Sequence, residues 1–475
     1  MRTSVRLAVI LVGAVTLLAG ALRLYGLGRP DEKYFDEVYY ATDGCFYAGV
    51  PYRQCGLGEA EERATVHPIL GKALIGLGVD AAGNDPFGWR IGSAVAGTAV
   101  VALVGWMAFL LFGSALWAGV GSLLAATESL LFVQSRIAML DIYLALFVVL
   151  GFALLVADRV RRDRRLATVA ARSVEEERVA VVEGGAGQIA EPRRIWRPLR
   201  LGAGAAFGAA TAVKWSGALA LIAAIVLALA WERTRRARTR VDRPFRRALA
   251  EEGFGLYLAL LIVPIAVYLL SWIPWLADRG LTLLDPEAYG QLVDHHLSMF
   301  EYHFELQPFE ENGELTHPYL SRAWTWFLLV RPVAYFWEGD AACCREILGI
   351  GNPFLFWGSL LAVPYLLVAW WRRRSWQAGA IAVPILVQYL PWLAIGRPLF
   401  LFYMTPIAPF LALAVAYALR DLAAVGGPDR RIFVPTVGAL VIVAVGLFAF
   451  FWPVLTGMHL SREAWELRIW FSSWV

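Results

Sequence analysis

Residues 7–27 read LAVILVGAVTLLAGALRLYGL, an apolar stretch of 21 residues with one charged side chain. A helix of this length spans about 30 Å, the thickness of the hydrocarbon core of a bilayer. Ten similar stretches follow, and the predicted membrane spans are 7–27, 89–112, 115–134, 138–157, 201–215, 216–231, 253–275, 353–371, 377–395, 399–418 and 432–452. The sequence therefore predicts an all-α polytopic membrane protein with about eleven transmembrane helices.

The composition agrees with this class of protein. Of the 475 residues, 59% are hydrophobic and 17% are charged, whereas soluble domains carry about 25% charged residues. A soluble fold of this length has too little interior for so much apolar chain. The same figures exclude a disordered protein, a coiled coil and a small disulfide-stapled domain. A second interpretation of residues 7–27 is a signal peptide, because Ala19-Gly20-Ala21 resembles a cleavage site.

Positive charge marks one side of the predicted membrane protein. Of its 43 basic residues, 27 lie near the N-terminus and in the segments 158–200, 232–252, 372–376 and 419–431. With eleven spans these segments share one side, so the charge bias predicts a cytoplasmic N-terminus and an outer C-terminal tail, 453–475. We interpret the arginine runs as topology determinants and anionic-lipid contacts, not as a nucleic-acid site. Residues 163–195, which lack periodicity, are expected to form a flexible loop.

Two long loops are predicted on the outer side, at 28–88 and 276–351, and both are acidic. The four cysteines, Cys45, Cys55, Cys343 and Cys344, lie in these loops. A Cys45–Cys55 bridge and a bridge between the two loops both remain open, whereas adjacent cysteines pair poorly.

An acidic pair follows the first span, within Phe35-Asp36-Glu37-Val38-Tyr39-Tyr40. One interpretation is a solvated acidic loop. The other is a general base that removes a proton from an incoming hydroxyl. The flanking aromatic rings favour the second interpretation, because shielding from water raises the basicity of a carboxylate.

Basic residues at the outer boundary are few. All three lysines, Lys33, Lys72 and Lys214, are predicted on the outer side, and a lysine between two apolar spans is a functional candidate. Arg136 and Asp141 lie near the outer turn between the third and fourth spans, where the alternative is a structural ion pair.

Four stretches, by their order along the chain, resemble the phospholipid-carrier-dependent protein O-mannosyltransferases of actinobacterial type, which are GT-C glycosyltransferases. These stretches are Phe35–Tyr40, His67-Pro68-Ile69-Leu70-Gly71-Lys72, Ser135–Asp141 and Lys214-Trp215. The stretches 331–339, 351–353 and 396–403 agree with that family. Two features depart from it. Ile69 replaces the second proline of its H-P-P-L-G-K motif, and residues 276–351 hold no inserted sugar-binding domain like that of the eukaryotic members.

The resemblance implies transfer of mannose, with inversion, from polyprenyl-phosphate-mannose to Ser or Thr hydroxyls of translocated proteins at the outer face of the cell membrane, with no cofactor and no metal. Asp36 is then the expected base, and Glu37 is expected to orient the acceptor or the sugar. A phosphate leaving group needs cations to hold its charge. The expected donor-binding residues are His67, Lys72, Arg136, Asp141, Lys214, Arg331 and Arg397. For each cation the alternative is a snorkelling interfacial side chain, and for His67 it is a role in fixing its loop.

The transferase domain is expected to cover residues 1–452. Its expected partners are the lipid donor, Ser/Thr-rich segments of secreted or membrane proteins and membrane lipids, with the secretion translocon as a further candidate. The histidines and glutamates between 295 and 305 favour a surface-lying amphipathic helix over a metal site. Two other functions remain open: a related lipid-carrier transferase with another sugar or a lipid or polysaccharide acceptor, and a lipid-linked sugar flippase or transporter.

Overall fold

The computed structural model describes residues 2–56, 66–180, 197–238, 242–310, 314–425 and 430–475. Helices dominate these ranges. In chain order they are α1 (Arg2–Leu24), α2 (Glu37–Tyr47), α3 (Tyr52–Cys55), α4 (Leu70–Ala82), α5 (Pro86–Phe112), α6 (Ala115–Ala126), α7 (Ser129–Gln134), α8 (Asp141–Ala180), α9 (Pro198–Val213), α10 (Gly217–Arg238), α11 (Pro244–Tyr257), α12 (Val263–Leu270), α13 (Ile273–Ala277), α14 (Pro286–Glu305), α15 (Pro353–Arg372), α16 (Trp376–Tyr389), α17 (Ala408–Ala423), α18 (Arg430–Thr456) and α19 (Arg462–Glu466). A π-helical turn at Leu258–Ile262 makes α11, α12 and α13 one nearly continuous segment.

Eight helical segments of the described ranges are long and apolar enough to cross a membrane. They are Thr3–Leu24, Pro86–Phe112, Asp141–Thr168, Gly217–Ala237, Pro244–Ala277, Pro353–Arg372, Trp376–Ala394 and Arg431–Thr456. Each of them coincides with one of the eleven predicted spans. The prediction of a multi-pass helical membrane protein is therefore confirmed.

The other three predicted spans, 115–134, 201–215 and 399–418, also contain helices, but shorter ones. The first is divided into α6 and α7 at Glu128, which accepts hydrogen bonds from the first turn of α7. α9 and α17 have 16 residues each, and neighbouring helices bury most of their side chains. The count of eleven membrane crossings stays a prediction, because these helices are too short for length alone to establish it.

The expected flexible loop at 163–195 is wrong in its first part, because α8 continues to Ala180. Residues 163–180 are rich in alanine, arginine and glutamate, which are good helix formers even without an apolar face. Residues 181–195 lie outside the described part of the chain.

The second outer loop contains a small sheet that the sequence analysis did not predict. Strands β1 (Val333–Gly339), β2 (Cys343–Gly349) and β3 (Leu460–Ser461) form an antiparallel sheet in the order β1-β2-β3. Because β3 follows α18, the sheet joins the second outer loop to the C-terminal tail. Cys343 and Cys344 in β2 are free thiols.

The first outer loop folds into α2, α3 and α4. A disulfide joins Cys45 to Cys55, so the first of the two predicted bridges is confirmed and the bridge between loops is wrong. α2 packs closely on α4, since a Cβ at Gly76 would lie 2.6 Å from the Gly44 carbonyl oxygen. Glycine at this position allows the two backbones to touch.

A buried ion pair holds the start of this loop. Arg90 of α5 donates to both carboxylate oxygens of Glu37, over 2.8 Å each, and both side chains are fully buried. The remaining Arg90 donors bind the carbonyls of Leu27, Pro30 and Glu32. One arginine therefore fixes the whole segment between α1 and α2.

We expect Arg90→Met to lower the stability of the protein by about 3–5 kcal/mol, because it leaves the Glu37 carboxylate buried without its partner. The thermal unfolding temperature of the purified protein in detergent measures this effect. Arg29→Met is the matched control, since Arg29 is an exposed arginine of the same segment. It should change stability by less than about 0.5 kcal/mol. Equal unfolding temperatures for Arg90→Met and the unaltered protein would contradict the structural role of the pair.

Candidate active site

The backbone turns sharply just before Asp36. Phe35 has a φ of 52°, a left-handed conformation that is uncommon for a bulky residue. Its ring packs edge-on against Tyr335 of β1 at a centroid distance of 4.8 Å, and against Phe402 at 5.9 Å. These contacts hold the turn in place and set the direction in which the next residue leaves it.

Asp36 occupies the N-cap position of α2, but its side chain makes no capping hydrogen bond. An aspartate at this position ordinarily accepts a hydrogen bond from the first turn of its helix. The Asp36 carboxylate is instead available to groups outside its own helix. It is partly exposed to solvent.

A second carboxylate and a lysine lie close to Asp36. Asp141 is the first residue of α8, and Lys214 follows the last residue of α9. Lys214 Nζ lies 3.1 Å and 3.2 Å from the two Asp141 carboxylate oxygens, and both side chains are buried. The ammonium also lies 4.7 Å from the centre of the Tyr403 ring. The positive charge is thus held between one carboxylate and one aromatic face.

Burial raises the pKa of the Asp36 carboxyl to about 6. The positive charge of Lys214 opposes this shift, and the negative charge of Asp141 adds to it. Desolvation disfavours the charged form of a carboxyl group, so it makes the carboxylate a stronger base. Asp36 therefore has a pKa close to the pH range in which a general base works well.

Two histidines and an arginine form the other side of this cluster. The His67 and His303 rings lie 5.1 Å apart, and His67 is 6.1 Å from the Tyr40 ring. Arg397 Nη1 lies 2.7 Å from His303 Nδ1, and His303 Nε2 lies 2.8 Å from the carbonyl oxygen of Val66. Arginine has only donors, so His303 accepts at Nδ1 and donates at Nε2.

Both imidazoles are therefore placed to act in the neutral form. Burial and, to a smaller extent, the nearby Arg397 charge together lower the pKa of His303 to about 4. Burial is also the main cause that lowers the pKa of His67 well below its ordinary value. Neutral rings can form polar contacts to sugar hydroxyls without competing with the cations for a phosphate.

A small cavity of about 10 Å³, enough for one water molecule, adjoins the Asp141–Lys214 pair. Its lining combines these two side chains with Gln388, Trp392 and Tyr403, and apolar residues of α8, α10 and the start of α17 complete it. The buried lysine therefore borders apolar side chains of the helical bundle.

The structure brings together five of the nine predicted site residues: Asp36, His67, Asp141, Lys214 and Arg397. The other four are engaged by other groups, although the charge of Lys72 also reaches His67. Glu37 is held by Arg90 and also accepts from the Ala138 backbone N–H at 2.8 Å, so its oxygens face away from an acceptor.

Lys72 and Arg136 have structural partners. Lys72 forms a buried ion pair with Asp43, with 2.7 Å between Nζ and the carboxylate. Arg136 donates to the carbonyls at the end of α1, those of Arg23 and Tyr25 at 2.7 Å each. It therefore caps that helix. The alternative that Arg136 pairs with Asp141 is wrong, because Asp141 pairs with Lys214.

Arg331 is partly exposed and precedes β1. Its guanidinium donates to the carbonyls of Pro318, Ser473 and Val475. These bonds tie the second outer loop to the C-terminal tail. A direct contact between Arg331 and a donor phosphate at the Lys214 cluster is not supported by this position.

Sequence reasoning missed three residues that build the site. The sequence analysis assigns no role to Arg90, within the predicted span 89–112, or to Tyr403, within the stretch 396–403. His303 is predicted on a surface-lying amphipathic helix, which is favoured over a metal site, and no contact with the active site is predicted for it. Their shared signal is a polar or aromatic side chain at the outer boundary, and the sequence carries no indication of which distant residue each one meets.

The region around α14 agrees with the predicted amphipathic helix. Its buried side chains, among them Leu292 and Met299, pack against Trp272 and Trp275, and its opposite face is exposed. Within the described residues, no group of three His, Cys, Asp or Glu side chains could hold a metal ion.

Two protein-family models match this chain. One, described as dolichyl-phosphate-mannose-protein mannosyltransferase, matches residues 81–169. The other, described as the C-terminal four TMM region of protein-O-mannosyltransferase, matches residues 289–474. Together these matches include α5, the larger part of α8, most of the loop 276–351 and the last four long helices.

Similar proteins extend the match to nearly the whole chain. The polyprenol-phosphate-mannose–protein mannosyltransferase of Mycobacterium tuberculosis (strain CDC 1551 / Oshkosh) is 33% identical over 98% of this chain and 91% of its own length. The protein of the same name from Mycolicibacterium smegmatis (strain MKD8) is 32% identical over 97% of this chain and 92% of its own length.

The fold has a counterpart among solved structures. A chain of the Saccharomyces cerevisiae protein O-mannosyltransferase Pmt1–Pmt2 complex bound to the sugar donor superposes with a TM-score of 0.76. The match covers 98% of this chain and 92% of that chain at 14% identity, so it concerns the fold alone. The predicted GT-C fold is confirmed.

Proposed function

Because this chain belongs to the family of polyprenol-phosphate-mannose–protein mannosyltransferases, we propose that it transfers mannose from a polyprenyl-phosphate-mannose donor to Ser or Thr hydroxyls of protein acceptors. The observation that carries the proposed mechanism is the cluster of Asp36, Asp141 and Lys214. It combines an uncapped carboxylate of raised pKa with a buried cation that adjoins an apolar cavity.

Asp36 acts as the general base in this proposal. The acceptor hydroxyl oxygen attacks the anomeric carbon of mannose, and its proton passes to the Asp36 carboxylate. The bond between that carbon and the phosphate oxygen breaks, and its electron pair leaves with the lipid phosphate. Attack on the face opposite the phosphate inverts the anomeric configuration.

Lys214 and Arg397 stabilise the departing phosphate. The lipid phosphate gains negative charge as the bond breaks, and preorganised cations are effective where charge develops. Lys214 contributes a point charge, and the Arg397 guanidinium contributes a planar pair of donors. Asp141 holds the Lys214 ammonium in position. The neutral His67 ring then lies where it can contact the sugar.

The remaining predicted residues have positioning roles. Glu37 and Arg90 fix the segment that carries Asp36, Lys72 fixes α4 against α2 through Asp43, and Arg136 caps α1. Their replacement would change the site through these contacts and not through the donor.

The function is tested by reconstituting the purified protein with polyprenyl-phosphate-mannose and a Ser/Thr-rich peptide. We expect mannosylated peptide with the unaltered protein, and a rate at least about 100-fold lower for Asp36→Asn, because general base catalysis contributes roughly 10²–10⁴ in rate. Asp31→Asn is the matched control, since Asp31 is an exposed aspartate of the same segment.

Each result separates function from mechanism. Unchanged transfer by Asp36→Asn would refute the base assignment and leave the mannosyltransferase function standing. Transfer by the unaltered protein from another lipid-phosphate sugar, with none from the mannose donor, would refute the proposed substrate. Mannosylation of a lipid or polysaccharide in place of the peptide would favour the related transferase.

The rate of transfer should rise with pH through about 6 and level off above it, because Asp36 must be ionised to act as a base and its pKa is raised to about 6. The neighbouring His303 has a lowered pKa of about 4, so its titration occurs at lower pH. Initial rates between pH 4.5 and 8 measure the profile.

The stability contribution of Asp36 has the opposite sign. A carboxyl whose pKa is raised on folding stabilises the folded state at low pH, and this contribution is lost as the pH rises from about 4 to about 6. Greater stability therefore does not explain a rate that rises in this range. Lys214→Gln should move the acidic limb to higher pH, since the lysine charge lowers the Asp36 pKa. A limb that stays at the same pH would contradict the link between the two groups.

We further propose that the site faces the outer side of the cell membrane, with the N-terminus cytoplasmic and the C-terminus outside. The arginine-rich segments support this orientation by the positive-inside rule. Acceptors that emerge from the secretion translocon would then meet Asp36 directly, which makes the translocon a proposed neighbour.

The exposed thiol of Cys343 tests this orientation. A membrane-impermeant maleimide should label intact cells at Cys343, and Cys343→Ser should abolish the label. In that background Arg164→Cys, an exposed position on the far part of α8, should react only after the membrane is permeabilised. The reverse pattern of labelling would overturn the orientation.

A further inference from the structure

A cavity of about 460 Å³ lies at the arginine-rich end of the helical bundle. α10 supplies most of its lining, and Trp370, Arg374 and Trp376 supply the rest together with Arg159 of α8. Arg159 is 18 residues beyond Asp141 on α8, about 27 Å at a rise of 1.5 Å per residue. The cavity and the active site are therefore separated by close to the thickness of a bilayer core.

The lining of this cavity carries only positive charge. It contains Arg159, Arg233 and Arg374 and no acidic residue. The acidic residues nearby are engaged by other arginines: Glu232 by Arg200 and Arg236, and Asp158 by Arg197. Asp163, one helical turn from Arg159, lies 3.6 Å from it and is itself half exposed. Asp163 offsets part of the Arg159 charge, but Arg233 and Arg374 leave the lining with a net positive charge that suits an anion.

The tryptophans hold one of these arginines in a fixed orientation. The Arg159 guanidinium carbon lies 4.9 Å from the centre of the Trp231 ring and 4.5 Å from that of Trp376. Stacking of this kind uses the faces of the guanidinium. Its N–H edges are the groups that bind phosphate oxygens.

Arg374 has an unusual backbone conformation. It lies in the short turn between α15 and α16 with a φ of 52°, where glycine or asparagine would be the ordinary choice. An arginine at such a position brings a third cation to the cavity at some cost in backbone strain.

An apolar strip leads away from the cavity along α10. Ile222 and Val226 are 49% and 45% exposed, and the spacing of four residues continues to Ala230 and Thr234 in the cavity lining. Residues four apart share one face of a helix. A ligand with its anionic end in the cavity would therefore lie with its apolar part on this strip.

We propose that this cavity binds the headgroup of an anionic phospholipid, with an acyl chain along the Ile222–Val226 strip. Basic pockets between transmembrane helices at the arginine-rich side of a membrane protein recognise such headgroups. Tryptophan side chains at the same level suit the interface between headgroups and acyl chains. A soluble phosphate would use the same arginines but would gain nothing from the exposed apolar strip.

Native mass spectrometry of the delipidated full-length protein tests this proposal. Palmitoyl-oleoyl phosphatidylglycerol is compared with the phosphatidylcholine that has the same acyl chains. The unaltered protein should retain phosphatidylglycerol preferentially. The double variant Arg233→Gln/Arg374→Gln should bind it at least about tenfold more weakly, since each interfacial arginine contributes about 1 kcal/mol to anionic-lipid attraction.

The matched control is Arg246→Gln/Arg247→Gln, which removes the same charge from exposed positions at the start of α11. It should retain the affinity for phosphatidylglycerol. Thr234→Glu is an independent second variant, because it places a carboxylate in the cavity while keeping all three arginines. It should also lose the lipid. In parallel, added phosphatidylglycerol should raise the unfolding temperature of the unaltered protein and of the control, but not of the cavity variants.

Three results would overturn the proposal. An equal loss of phosphatidylglycerol binding in the control would mean a diffuse attraction to surface charge. Equal retention of phosphatidylcholine would mean that the cavity does not distinguish headgroups by their charge. Full displacement of the lipid by millimolar inorganic pyrophosphate would identify a site for soluble anions.

Discussion

The bidentate contact between Arg90 and Glu37 is the constraint that fixes the segment between α1 and α2, which carries Asp36. It joins α5 to the first residue of α2, and Glu37 also accepts the backbone N–H of Ala138 just before α8. Two buried charges are tolerated only when their partners are complete. Here Arg90 uses its donors on one carboxylate and three carbonyls. These bonds therefore hold the segment before α2 in one position, which in turn fixes the direction of the Asp36 side chain.

Adjacent carboxylates thereby acquire different tasks. Glu37 is fully buried and held, whereas Asp36 is partly exposed and makes no capping bond. The sequence predicted the acidic pair and its side of the membrane, because an apolar span and the arginine bias locate both. It did not separate the two roles, since the difference rests on Arg90, which lies 53 residues further along the chain.

The same distinction explains which parts of the fold were predictable. The long membrane spans were predictable, because crossing a bilayer requires a length and a composition that can be seen directly in a sequence. The sheet of β1, β2 and β3 was not, since its third strand is two residues long and comes from the far end of the chain. The basic site residues were predicted only from the side of the membrane on which they were expected to lie. Arg136 donates to the carbonyls of Arg23 and Tyr25, more than 110 residues away, and no local sequence pattern indicates such a partner.

Polar contacts between the helices position them relative to one another, which apolar burial alone does only weakly in a membrane. Helices within lipid gain little from hydrophobic burial, because acyl chains are as apolar as leucine. Close packing and a few buried ion pairs must then set how helices stand relative to one another. Glu37–Arg90, Asp43–Lys72 and Asp141–Lys214 lie where the first outer loop meets the bundle. Of these three pairs, the last also borders a small cavity with a largely apolar lining. In the proposed mechanism the Asp141–Lys214 pair, which helps to join α8 to α9, also meets the lipid phosphate, so helix assembly and the proposed reactive centre share one interaction.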